Sequence, residues 1–438
     1  MKTQLGEYWQ RLRTSFWFVP AAMSVAAIAL AMAAVASDET ATSWLQRAGL
    51  TFSGGAEGAS SVLETIASSM ITIAGVIFSM TLVALTLTTS QYGPRLLRTF
   101  IRDTTTQVVL GTFVATFLYC LVVLRSIRRA EEATFVPQLA VTLGVLLAVV
   151  GVGFLIYFIH HIASLIQADE VVVRVARELN AAIDRLFPEF AGDAAEALRS
   201  APDDGLLPDA FEREARTIRS VGDGYLQSID TERVMALARE EDLLIRVELG
   251  PGSFVMSDRP LARAWPGSRV SDRLEEGIRR AFVQGNQRTP VQDVEFAVLQ
   301  LVEIAVRALS PSLNDPFTAV RCVHRLGSAL RRVARRSMPS PHRFDDEGRL
   351  RLVAPVATFP SIADAAFDQI RRHSGTSAAV TLSLLDTIAV VGEFASRPED
   401  RAALRRHADM IARGAREGLS EAEDRREVER RLALVHAM

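Results

Sequence analysis

Thr14–Ser37, Thr65–Pro94, Thr104–Leu124 and Ala133–Ala168 are four unbroken stretches without Asp, Glu, Lys or Arg. A bilayer core of about 30 Å takes roughly 20 apolar residues as a helix, because lipid offers no partner to an unpaired backbone group. The pattern therefore predicts transmembrane helices near 16–36, 62–90, 106–124 and 137–160. Ala34-Val35-Ala36 resembles a signal cleavage site, but an apolar run of about 20 residues is longer than a signal core of about 7–15, so the first helix reads as an uncleaved anchor. Trp9 and Trp17 before it and Trp44 after it suit the two interfacial belts.

Beyond residue 165 the pattern becomes that of a water-soluble protein. Val171, Val172, Val175, Leu179, Ile183 and Leu186 recur at helical spacing, which predicts an amphipathic stalk ended by Pro188. Residues 191–210, rich in Ala, Asp, Gly and Pro, read as a linker, so stalk and linker together fill 166–210. Over 211–270 the period shortens. Ala215–Val221 and Tyr225–Ile229 flank Gly222-Asp223-Gly224 as a hairpin would, and short strands follow at Leu243–Leu249, Phe254–Met256 and Leu261–Trp265. Pro251–Val255 with Pro260-Leu261-Ala262 is similar to the half-barrel repeat of biotinyl/lipoyl-like domains, which implies a small barrel-like unit. From Ser271 to the end the chain reads as helices, near 271–284, 290–309, 316–336, 361–373, 377–396, 399–417 and 420–436, interrupted by a strand pair around Phe344 and Leu350–Val353. The expected architecture is a four-helix transmembrane domain over 1–165, then an α+β domain with a β-rich part over 211–270 and a helical bundle over 271–438.

Charge sets the orientation. Lys2, Arg11 and Arg13 precede the first span and Arg95, Arg98 and Arg102 follow the second, whereas the loop between them holds only Arg47. The positive-inside rule then puts both chain ends in the cytoplasm, with Arg125, Arg128 and Arg129 as an exception outside. Lys2 is the only lysine, which excludes P-loop, Schiff-base and lipoyl or biotinyl carrier chemistry. A net charge of −2 is no nucleic-acid footprint, and two cysteines are too few for a disulfide framework.

The second span is the most patterned. Positions 65, 68, 72, 75, 79, 82, 86 and 89 form one helical stripe, and all but Leu82 are small: Thr65, Ser68, Thr72, Gly75, Ser79, Thr86 and Thr89. Small hydroxylated residues on one face serve either as a packing seam or as the wetted lining of a pore made by several copies. Gly144, Ala148 and Gly151 in the fourth span make a second small track, read as packing. His160 and His161 point about 100° apart on a helix, so they do not chelate one ion and read as hydrogen-bonded interfacial residues beside the Arg95/Arg98 elbow.

The polar segment of most interest in the C-terminal half contains Arg288, Asp293, Glu303, Arg307, Asn314 and Asp315. Asp315 before Pro316 has helix-cap chemistry. Its alternative is an anion or ligand held at that helix start with Arg288 or Arg321 nearby. Seven scattered histidines make no nucleophile constellation, and no HExxH, GxSxG or GxGxxG stands in the right context. The chain is accordingly expected to be a non-enzyme without metal or cofactor.

Phe16–Pro20, Ser90–Leu97, Phe158–Ile162 and Ala308–Pro316 resemble the signatures of a bacterial predicted-membrane-protein family, domain of unknown function 2254. The resemblance covers nearly the whole chain and implies a bacterial inner-membrane protein; it carries no activity or site residue. Two functions fit the residues. One is a homo-oligomeric channel or transport-like protein whose second span lines the path and whose cytoplasmic half assembles or gates it. The other is a membrane-anchored sensor or scaffold with a closed bundle, binding a partner or small anionic ligand near Arg288, Asn314 and Asp315. The partners expected are the bilayer, further copies of the chain, and an ion or small anion.

Overall fold

The computed structural model describes residues 16–38, 55–92, 103–130, 133–165, 168–188 and 206–438, and the chain divides into two units, Met1–Glu170 and Val171–Met438. Four helices of the first unit are long and apolar enough to cross a membrane. They are α1 (Phe18–Ala36), α2 (Gly55–Tyr92), α3 (Thr104–Ser126) and α4 (Gln138–Leu165). Each overlaps an expected span, although α2 starts seven residues before the expected position 62 and, with 38 residues, measures about 57 Å. It therefore runs past a hydrocarbon core of about 30 Å. Arg95, Arg98, Trp9 and Trp44 lie outside the described residues, as do the N-terminal charges used to set the orientation.

Helix α3 is the centre of this bundle: 61% of its apolar window is buried, against 22% in each of the other three. Lipid tails are as apolar as leucine, so such helices hold together by close packing and hydrogen bonds rather than by expelling water. Gly111 of α3 lets α1 approach at Pro20 and Met23. On α4, Gly144 faces Leu63, Tyr119 and Cys120, and Gly151 faces Met70 and Phe113, so both glycines pack against α2 and α3. The buried Tyr119 hydroxyl donates to the Ala140 carbonyl at 2.9 Å and ties α3 to the start of α4. A short antiparallel hairpin that the sequence pattern did not suggest, β1 (Arg128–Ala130) with β2 (Ala133–Phe135), joins those two helices.

Helix α5 (Ala168–Leu186), all but its first three residues in the second unit, is amphipathic as expected, with Val171, Val175, Leu179 and Ile183 buried. A short helix α6 (Phe211–Glu214) precedes the strands β3 (Arg216–Arg219) and β4 (Gly224–Ile229). After them come α7 (Thr231–Glu240), β5 (Leu244–Val247), β6 (Phe254–Val255), β7 (Pro260–Trp265), α8 (Asp272–Arg279) and β8 (Phe282–Gly285). Helices α9 (Val294–Ala308) and α10 (Pro316–Ala334), strands β9 (His342–Phe344) and β10 (Leu350–Val353), and helices α11 (Phe359–Ser374), α12 (Ala378–Gly392), α13 (Pro398–Gly418) and α14 (Ala422–His436) complete the chain.

The strands form two sheets, ordered β3-β7-β5-β10-β9 and β6-β4-β8, instead of one closed barrel. Both contribute to one core, with Ile218, Ile245, Leu261 and Leu352 from the first sheet and Leu226, Val255 and Phe282 from the second, closed by α7 and α8. Two expectations are corrected. First, β3 and β4 do not form a hairpin: β3 pairs with β7, and β4 with β6 and β8. A two-residue hairpin turn needs positive φ at its centre, and neither Gly222 nor Asp223 has it. Asp223 accepts instead from the Ser257 N–H at 2.6 Å, and the turn carries the chain from one sheet to the other. Second, the β-rich part does not end at residue 270. Strand β8 replaces the end of the helix expected over 271–284, and β10 inserts parallel to β5, where Leu352 pairs with Ile245.

Helix α5 is fastened within this unit by Asp184. Arg332 on α10 binds its two oxygens at 2.7 Å each, and Arg336 adds a bond at 2.6 Å. The Arg336 guanidinium also donates to the Phe187 carbonyl at 2.6 Å, satisfying one of the orphan carbonyls at the end of α5.

Candidate functional site

Helix α2 has two opposed faces. Ala59, Leu63, Ala67, Met70, Ala74, Ile77 and Ala84 are buried in the bundle. Thr65, Ser68, Thr72, Gly75, Ser79 and Thr86 are exposed and Thr89 is half-buried. The stripe is offset from the buried row by two residues, about 200° around the helix. It is therefore not the packing seam of its own bundle; the alanines on the other side do that work. A Cβ at Gly75 would meet no atom within 4 Å. The threonine hydroxyls are satisfied locally: Thr65 donates to the Ser61 carbonyl at 2.7 Å, Thr72 to Ser68 at 2.7 Å, Thr86 to Leu82 at 2.9 Å and Thr89 to Leu85 at 2.7 Å. Such back-bonding makes a hydroxylated face tolerable in lipid while leaving each oxygen a free lone pair. Bulky residues flank and interleave the stripe on the same helix, with Val76, Leu82, Val83 and Leu87 exposed, whereas on the outward side of α4 Val145, Leu146, Val149, Val152, Ile156 and Ile159 are exposed without a matching row of hydroxylated residues.

The ends of α4 are pinned by carboxylates that the sequence reading passed over. At its start, Asp38 is buried at the end of α1 and accepts from the Leu139 N–H at 2.8 Å, serving an orphan donor of the first turn. At its end, His161 Nε2 lies 2.8 Å from Asp103 Oδ2. Asp103 also caps α3, accepting from the Thr106 N–H at 3.0 Å and the Thr106 hydroxyl at 2.7 Å. Burial pushes its carboxyl up, but the Thr106 hydroxyl, His161 and the Thr106 N–H outweigh that and hold it below the ordinary carboxylate range. His161 also stacks on Tyr157 at 5.9 Å, and His160 is exposed on another side of the helix. Asp103-Thr104-Thr105-Thr106 was the available signal, an Asp followed three residues on by a hydroxyl at a helix start.

The polar residues of the C-terminal unit are not gathered into one site. Arg288 grips Asp293 with two bonds, Nε to Oδ2 at 2.7 Å and Nη2 to Oδ1 at 2.9 Å. Asp293 is only 4% exposed and caps α9 through the Phe296 N–H at 3.0 Å. Gly252, with φ +94°, packs directly on this pair. Asp315 lies past the other end of α9, a helix of 15 residues or about 22 Å, and there caps α10 through the Thr318 N–H at 3.1 Å. Asn314 takes the left-handed conformation, φ +45°, and its N–H donates to the Ser310 carbonyl at 2.9 Å, which turns the chain between α9 and α10. Arg288 therefore lies away from Asn314 and Asp315, and of the two arginines expected near that helix start only Arg321 belongs to α10. Glu303 and Arg307 form a 3.7 Å pair one turn apart, partly exposed and worth little. No group of three His, Cys, Asp or Glu among the described residues is placed to hold a metal ion.

Comparison with known proteins agrees with this membrane architecture. The family model described as a predicted membrane protein (DUF2254) matches residues 13–390. The chain is 33% identical over 382 residues to the uncharacterized protein Rv1290c of Mycobacterium tuberculosis, a match covering 86% of this chain and 72% of that protein. The uncharacterized protein Mb1321c of Mycobacterium bovis matches to the same extent. No solved structure matches the chain.

Proposed function

This chain belongs to the DUF2254 family of predicted membrane proteins, and from that premise we propose that it works as a homo-oligomeric channel or transport-like protein. Several copies meet through the outward face of α2, and the C-terminal unit serves assembly or gating. The observation that carries this reading is the exposure of Thr65, Ser68, Thr72, Gly75, Ser79 and Thr86 on a helix whose opposite face is already packed. A lipid-facing arc gains nothing from six small residues in register. A face shared by copies gains close approach from them, and a wetted one gains hydrogen-bonding oxygens. The single bundle has α3 packed through its centre, so any path lies between copies. Following the arginine distribution, we place both chain ends on the cytoplasmic side of a bacterial inner membrane.

The test is ion flux from liposomes containing the purified full chain. Flux is expected from the wild type, lost in Ser79→Leu and kept in Val149→Leu on the lipid face of α4. Absence of flux at every pH and membrane tension, together with a monomer in detergent, would overturn the proposal.

A further inference from the structure

The first sheet of the C-terminal unit borders a cavity of about 420 Å³, lined by Trp265, Arg269, Arg349, Arg351, Asp242 and a set of leucines and prolines. That is the size range of small-molecule sites, and the mixture of an apolar wall with a few convergent polar groups is their usual make-up. Three guanidinium groups meet on one carboxylate. Asp242 is approached by Arg269 Nη1 at 2.7 Å, Arg351 Nη1 at 2.8 Å and Arg349 Nη1 at 3.4 Å. It holds a left-handed backbone, φ +50°, a conformation rare outside glycine and tolerated best by Asn and Asp.

Arg351 is the most constrained of the three. Its side chain is 5% exposed, and its Nε binds Asp345 at 2.8 Å. Its Nη2 is buried without a hydrogen-bond partner. That atom is closed to solvent, so Arg351 holds Asp242 and lends its charge to the wall without donating to a molecule in the cavity. Arg269 and Arg349 are half-exposed, with donors to spare. Asp345 and Glu347 engage Arg351 and Arg349 without lining the cavity. Across the lining itself, three arginines face one aspartate. Trp265 adds a planar apolar surface to the same wall.

We propose that this cavity binds a small organic oxyanion, a phosphate or carboxylate carried on a planar apolar body, with Arg269 and Arg349 on the anion, Arg351 adding its charge from behind them and Trp265 on the body. The site is separate from the α9 ends discussed above and does not rest on the channel reading, because binding is measured directly.

The probe is phenyl phosphate, titrated into the full chain in nanodiscs and followed by calorimetry and by tryptophan fluorescence. Saturable binding is expected, with a fluorescence change that disappears in Trp265→Phe. Inorganic phosphate should compete, and phenol at the same concentration should not. Arg351 is too deeply paired to remove safely, so the decisive variant is Arg269→Gln/Arg349→Gln, which changes two half-exposed residues. Its dissociation constant should rise at least tenfold with the melting temperature kept, while Arg413→Gln on α13 leaves binding unchanged. Absence of saturable binding, equal competition by phenol, or unchanged affinity in the folded double variant would each overturn the proposal.

Discussion

Asp103 and His161, 58 residues apart in sequence, are joined by a 2.8 Å hydrogen bond that fastens the first turn of α3 to the last turns of α4. Both side chains are largely buried, at 12% and 17% exposed. Asp103→Ala removes the cap and the tie together and should destabilise the first unit by about 1–2 kcal/mol, the upper part of the range for a lost cap. His161→Gln keeps the cap and should cost less. Because the Asp103 carboxyl is held below its ordinary range, its contribution is present above the unfolded pKa of about 3.9 and is lost as pH falls through the lower folded value. Chemical unfolding of both variants in detergent checks this; equal stability of wild type and Asp103→Ala would contradict it.

Gly111 and Gly153 are a matched pair of tests for the bundle. A Cβ at Gly111 would sit 2.6 Å from Met23 Sδ and 3.2 Å from Pro20 Cα, whereas one at Gly153 meets nothing within 4 Å. Gly111→Val should therefore cost about 1–3 kcal/mol through overpacking of α1 against α3. Gly153→Val should be close to neutral in the same unfolding assay.

Gly252 tests the Arg288–Asp293 pair. Its φ of +94° is strained for any other residue, and a Cβ would lie 2.8 Å from Asp293 Cγ and 2.9 Å from Arg288 Nη2. Gly252→Ala should cost about 1–3 kcal/mol. It should also weaken the start of α9, read as faster amide exchange at the Phe296 N–H that Asp293 now holds.

His407 gives the C-terminal unit a pH signature. Its side chain is fully buried, and burial lowers its pKa more than the 2.8 Å contact with Asp364 restores it. A depressed folded pKa means full stability above the unfolded value of about 6.5 and progressive loss as pH falls toward the folded value. Wild type should lose melting temperature between pH 7.5 and 5.5, and His407→Gln should lose less over the same interval. Parallel pH curves would contradict this origin.

Much of this architecture was written in local pattern. The four spans follow from charge-free runs, and the cap at Asp315 from a short polar signal next to helical periodicity. What stayed hidden was non-local or depended on backbone conformation. The partner of His161 lies in another helix. The Arg351 network exists only because β10 inserts beside β5, about a hundred residues upstream, through a parallel pairing that no local turn signals. The β3–β4 turn was misread because Gly-Asp-Gly permits positive φ without requiring it. The α2 stripe was visible as a stripe, but sequence alone could not say which face of α2 its own bundle would bury.

The exposed face of α2 is tested most directly by cross-linking in the native membrane. The chain has two cysteines, Cys120 and Cys322, both buried, and burial pushes the Cys322 thiol up to about 12. Single cysteines introduced as Ser68→Cys, Gly75→Cys, Ser79→Cys and Thr86→Cys are compared under mild oxidation with Val145→Cys, Val149→Cys and Val152→Cys on the bulky face of α4. If copies share the α2 face, the first series gives reducible dimers with a periodicity of three to four residues and the second remains monomeric. Monomers throughout the α2 series, or equal cross-linking from both helices, would contradict a shared α2 interface.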